Sequence, residues 1–212
     1  MSTHPRPQEQ DLTARARIRN AALELYAARG EDKISMRTVA AEVGVTIGLI
    51  QHHFGTKEGL GQAVDDHVVS YFVDALAMAE RTGTPAEVVD ARDEAVQQML
   101  RANPTVVRYI NRALIEPDRR GSRLLRGIVA LTVREVENLR RSGHASTSRS
   151  EKIQVLRTLM GQVGQLLIDP VVDAVWDELD GDPSSRPSAR IVVSTDSDVH
   201  PFVDPGRGPD RE

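Results

Sequence analysis

The chain has no cysteine. That excludes a disulfide framework, a thiolate nucleophile, a cysteine zinc site and an iron–sulfur cluster. Aromatic residues make up only 3 % of it, which favours an aliphatic or polar binding pocket over an aromatic-walled one. No apolar run approaches the roughly 20 residues needed to cross a bilayer. The first ten residues, MSTHPRPQEQ, lack an apolar signal core. A soluble, cytoplasmic protein with no membrane partner is expected. Strand-like alternation of apolar and polar residues is missing throughout.

What is present is helical. The 212 residues suit one large domain or two small ones, and 40 % of them are hydrophobic. The formal net charge is −4, which argues mildly against a protein coated in nucleic acid. The charge is uneven, however: residues 1–60 carry a net +1, residues 61–180 a net −3 and residues 181–212 a net −2. The acidity lies outside the first sixty residues, and a local DNA contact depends on distribution rather than on the total.

Glycine and proline divide the chain. Breaks fall at Gly30, Gly44, Gly55, Gly83-Thr84-Pro85, Asn103-Pro104, Glu116-Pro117, Gly143 and Asp169-Pro170. They predict about nine helical segments: 12–29, 36–43, 47–53, 57–81, 86–101, 105–115, 119–141, 150–168 and 171–179. The fold class is all-α. Residues 181–212 hold five of the 11 prolines and read as a mostly disordered tail, broken by the short apolar run Ile191-Val192-Val193.

In the first segment Ile18, Ala21, Ala22, Leu25 and Tyr26 fall on one helical face, with Gly30 as the stop. Ser35 is a good N-cap, followed by the short apolar face Met36, Val39, Ala40 and Val43. Gly44-Val45 turns the chain and Thr46 caps a second short helix, with Val45 and Ile50 expected in the core. Two short helices joined so tightly read as helix-turn-helix, the second lying in the major groove. Gly48 costs helix propensity, so a close approach is expected there, to the partner helix or to a phosphate.

This stretch resembles the amino-terminal domain of the TetR family of bacterial one-component regulators. The residues that carry the resemblance are Ala21, Ala22, Tyr26 and Gly30, then Val39, Ala40, Gly44 and Val45, then Phe54, Gly55, Thr56, Lys57, Glu58 and Leu60. It implies a three-helix DNA-reading head over residues 12–60 and a helical effector-binding and dimerisation body over 61–180. It also implies a homodimer that binds a palindromic operator and is released by a small molecule, a repressor by default, without cofactor or catalysis. Sequence does not separate repression from activation.

The implied DNA-contacting set is Arg37, Thr46, Ile47, Gly48, Leu49, Gln51, His52, His53 and Lys57. In the family the positions of Lys57 and Thr46 meet phosphate, and that of Arg37 a base edge or phosphate. The recognition helix departs from the common pattern. Gln51 stands where a phosphate-contacting tyrosine is usual, and can itself reach phosphate or adenine. Leu49 removes a hydroxyl and offers an apolar face to a thymine methyl. His53 reads either as a phosphate contact or as a neighbour of Phe54. Arg15, Arg17 and Arg19 read either as solvated surface or as phosphate contacts.

For the body, Ile153, Leu156, Met160, Val163 and Leu167 recur at helical spacing, and Val172, Val175 and Trp176 continue the register. With Gly161 and Gly164 allowing a close crossing, these residues form the expected dimer interface. Tryptophan is enriched at interfaces. The pool for an effector pocket is Val68, Phe72, Met99, Tyr109, Ile110, Leu125 and Val129, all expected to face the interior. An inward turn by Arg101, Arg108 or Arg112 would need an acidic partner.

Two other readings stay open at this level. One is a dimeric helical adaptor that has lost DNA binding. The other is a small metal-dependent enzyme using His52, His53 and His67. The second is weak, because adjacent helical residues diverge by about 100° and no HExxH motif exists, so no metal site is assigned.

Overall fold

A computed structural model describes residues 14–80, 82–115 and 121–187. Among these residues the structure holds eight α-helices and one 3₁₀ turn, and no strand. The helices are α1 (Ala14–Arg29), α2 (Met36–Val43), α3 (Ile47–Phe54), α4 (Lys57–Met78), α5 (Pro85–Ala102), α6 (Pro104–Ile115), α7 (Gly121–Arg141) and α8 (Glu151–Glu178). The 3₁₀ turn is Pro183–Ser185. Chain compactness divides the protein into two units, between Val155 and Leu156. Residues 12–13, 119–120 and Ile191–Val193, for which expectations were stated, lie outside the described residues.

In the first unit α1 is the hub. Ile18, Ala22 and Tyr26 repeat every four residues and are essentially inaccessible, joined by Leu23 and Ala27. This stripe packs on α2, α3, α4 and α6. α4 continues the core with Leu60, Val64, Val68 and Phe72 and packs on α5 and α7. α5 starts with a capping box: Thr84 N–H donates to Glu87 Oε2 (2.8 Å) and Glu87 N–H to Thr84 Oγ1 (3.4 Å).

The second unit corrects the helix count. The break expected at Asp169-Pro170 does not occur, and α8 runs through Pro170. Proline removes one i→i−4 hydrogen bond, here the one to the Leu166 carbonyl, yet α8 continues past it, with Pro170 itself exposed. Beyond α8, Trp176 Nε1 donates to Asp182 O (3.0 Å). Arg186 pairs with Asp173 and donates to Asp169 O at 3.2 Å. The first residues of the expected tail, Gly181–Pro187, are therefore strapped to the end of α8.

Candidate nucleic-acid interface

The α2–turn–α3 unit is built by local capping. Ser35 Oγ accepts from Thr38 N (3.1 Å) at the start of α2. Gly44 ends α2 at φ +72°, a left-handed conformation that suits glycine. Thr46 Oγ1 then accepts from Leu49 N (3.3 Å) and opens α3. Thr56 Oγ1 does the same for α4 through Gly59 N (3.1 Å).

Burial fixes how α3 is turned. Ile50 and Phe54, four residues apart, are its buried residues. The Arg15 guanidinium lies over the Phe54 ring, 5.2 Å from its centre. The opposite side offers Ile47, Gly48, Gln51 and His52 to solvent, with Leu49 and His53 half-buried. His53 is in edge contact with both His52 and Phe54, at ring separations of 5.3 and 6.1 Å. Thr46 and Arg37 are exposed as well.

A Cβ on Gly48 would meet only Thr46 Oγ1, at 3.8 Å. The expected close approach of Gly48 to the partner helix is therefore absent. Val45, expected in the core, is half-buried. Lys57 donates to Asp32 O (3.1 Å) and so ties the first turn of α4 to the α1–α2 loop. Arg17 lies 3.4 Å from Val43 O at the end of α2.

Behind this surface lies a polar cluster with no counterpart in the sequence reading. Asp65 of α4 accepts from Tyr109 Oη (2.7 Å) and pairs with Arg123 of α7. Arg123 also lies 3.4 Å from Glu31 Oε2 in the α1–α2 loop. Burial raises the Asp65 pKa, opposed by hydrogen bonds from Tyr109 and Arg123. Burial also raises the Tyr109 pKa, helped by the Asp65 charge. The one available signal was Asp65 itself, a charge among the buried positions Gly61, Val64 and Val68 of α4.

Of the arginines for which an inward turn would have needed an acidic partner, Arg101 pairs with Glu94 at the surface, Arg108 donates to Thr105 and Arg112 to Ala28 O. Arg123 and Arg92, the latter paired with Glu135, turn inward to carboxylates. Of the effector-pocket pool, Val68, Phe72, Tyr109 and Ile110 are buried core, and Met99 and Val129 are half-buried. Leu125, expected inside, is 39 % exposed. Of the dimer set, Leu156, Leu167 and Val175 are exposed, and Ile153, Met160, Val163, Val172 and Trp176 half-buried. His52, His53 and His67 are not assembled, and among the described residues no group of three His, Asp or Glu could hold a metal. No helix among them is long and apolar enough to cross a membrane.

The capped pair α2 and α3, joined at Gly44 and packed on α1, defines a helix-turn-helix head. Residues 18–64 match the family model of bacterial regulatory proteins of the tetR family. They are a helix-turn-helix domain of the TetR family. Over 75 residues the chain is 43 % identical to the HTH-type transcriptional regulatory protein RaaS of Mycobacterium tuberculosis, which spans 35 % of each chain. Over 75 residues it is also 37 % identical to the HTH-type transcriptional repressor Rv3405c of the same organism, covering 35 % of this chain and 38 % of that one. The match thus spans little more than a third of either relative.

Solved structures extend the likeness in fold alone. A transcriptional regulator from Rhodococcus sp. Rha1 superposes with TM-score 0.59 at 23 % identity, covering 77 % of this chain and 87 % of that one. The fatty acid degradation regulator FadR from Bacillus halodurans gives 0.58 at 17 %, covering 83 % and 88 %.

Proposed function

We propose that this protein is a ligand-responsive transcriptional repressor that binds a palindromic operator as a homodimer. The observation that carries the reading is the outward face of α3. Gly48, Gln51 and His52 are free to enter a major groove while Ile50 and Phe54 anchor the helix from behind. With nothing of the protein close to Gly48, its missing side chain suits the approach of a phosphate. Thr46 and Lys57 contact the DNA backbone, Arg37 a base edge or phosphate, and Ile47, Leu49, Gln51, His52 and His53 face the bases or the flanking phosphates. Lys57 keeps two ammonium donors beyond its bond to Asp32 O.

One short helix reads too few base pairs to find a genomic site. A two-fold pair reads a palindrome with half-sites about one helical turn apart. The apolar positions Leu156, Leu167 and Val175 on α8, with half-buried Ile153, Met160, Val163, Val172 and Trp176, form the interface. An effector in the 61–180 body favours one position of α4, which begins at Lys57 beside α3, and so changes the spacing of the two heads. The protein acts in the cytoplasm.

The test is a mobility shift with DNA flanking its own gene, alongside selection from random sites. The expected result is tight binding to a palindrome that weakens steeply with salt. Lys57→Ala weakens all sites alike, and Gln51→Ala relaxes preference at one position. No binding in either assay refutes the regulator and leaves the dimeric adaptor.

A further inference from the structure

A cleft of about 850 Å³ runs along α1, between it and the middle of α4 and the start of α6. None of the expected effector-pocket residues lines it. Arg19 of α1 and His67 and Tyr71 of α4 do, beside the apolar side chains of Leu23 and Val106.

Arg19 is half-buried and has no carboxylate partner among the described residues. Its Nε and one Nη2 hydrogen go to Asn20 Oδ1, at 3.2 and 3.0 Å, which leaves three N–H donors. A guanidinium withdrawn from water gains from an anion facing its planar fork. Burial lowers the Arg19 pKa, so its charge is under-compensated where it stands.

The neighbours do not supply the missing charge. His67 is held to a pKa of about 4 by burial and by the nearby Arg19, so it is neutral at pH 7. Its ring stacks obliquely on Tyr71, 5.0 Å between centres. Of the acidic groups on the wall, Glu24 accepts from Thr105 Oγ1 (3.0 Å), and Glu42 lies at the end of α2. Arg17 and Arg29 add further positive charge.

We propose that this cleft binds a small organic carboxylate, its carboxylate on Arg19 and flanked by His67 and Tyr71, whose half-buried rings also meet its apolar part. Neither Arg37, nor any residue of 46–57, nor any residue of the expected effector pocket lines it.

The test uses the full chain and needs no DNA, so its outcome is independent of the operator reading. Binding of 4-fluorobenzoate is followed by ¹⁹F NMR beside its neutral counterpart, 4-fluorobenzamide. The acid should bind and the amide should bind about tenfold more weakly, the loss of a charge-assisted contact. Arg19→Met should weaken the acid by at least about tenfold, and Tyr71→Phe by about threefold, with circular dichroism unchanged. No binding of the acid at about 10 mM overturns the proposal, as does equal binding by the Arg19→Met variant. Inorganic phosphate binding as tightly as the acid overturns the organic class.

Discussion

Tyr109 on α6 donates its hydroxyl to Asp65 Oδ1 on α4 at 2.7 Å, with both residues buried. The other oxygen of Asp65 meets Arg123 of α7, which reaches on to Glu31 in the α1–α2 loop. Burial works against the Arg123 charge, yet Asp65 and Glu31 outweigh it and raise its pKa. The head, the long helix α4 and two helices of the first unit therefore share one charge cluster.

Breaking that cluster from one side should be severe. Asp65→Asn removes the buried partner of half-buried Arg123, leaving it with Glu31 alone, and should destabilise by about 3 kcal/mol. Tyr109→Phe removes only one donor and should cost about 1–2 kcal/mol. Urea unfolding measures both. Equal losses in the two variants would contradict the ion pair as the stronger element.

Gly61 makes room for the cluster. A Cβ there would meet Glu31 Oε1 at 2.5 Å and Arg123 Nη2 at 2.8 Å. Both groups are the ends of long side chains, but Glu31 is buried, Arg123 is half-buried, and the two are paired with each other. Gly61→Ala should cost about 1–3 kcal/mol through overpacking. Gly161→Ala meets nothing within 4 Å in the single chain and should gain up to about 1 kcal/mol of helix stability. A weaker dimer in Gly161→Ala would show that this glycine serves a close crossing instead.

His67 sets a pH dependence. Its pKa falls from 6.5 unfolded to about 4 folded. Between these values the unfolded chain binds a proton that the folded chain does not. Stability should therefore fall as pH drops from about 6.5 to 4, and the loss should end below about 4. Partial exposure limits the loss to about 2 kcal/mol. Denaturation curves of wild type and His67→Gln across this range measure the difference. Parallel curves would remove His67 as the cause.

Thr46 combines a cap with a proposed phosphate contact, and two variants separate them. Thr46→Ala should lose about 1 kcal/mol of stability. Thr46→Asp keeps a capping oxygen and so keeps stability, but places a negative charge at the DNA backbone. Mobility shifts should show lost binding for Thr46→Asp. Unchanged affinity would mean that Thr46 only caps.

The proposed dimer face on α8 can be tested by charge. Leu156→Glu with Leu167→Glu removes two exposed leucines, each worth about 1.5–3 kcal/mol when covered. Light scattering should then report a monomer. A persisting dimer would assign the interface elsewhere.

The sequence alone determined the helix-turn-helix head. Its signals are local: Ser35 and Thr46 reach donors three residues away, and Gly44 reverses the chain on its own. The same locality made the helical periods of the first seven helices readable. It failed at Pro170, where proline usually ends a helix but α8 continues through it at the loss of one hydrogen bond. Only the tertiary structure decided which polar residues turn inward. Asp65 finds Arg123 58 residues along the chain, and Arg123 finds Glu31 at 92. No period or cap encodes a pairing at that range. The cleft beside Arg19 is of the same kind, since it exists only where α1 meets α4 and α6.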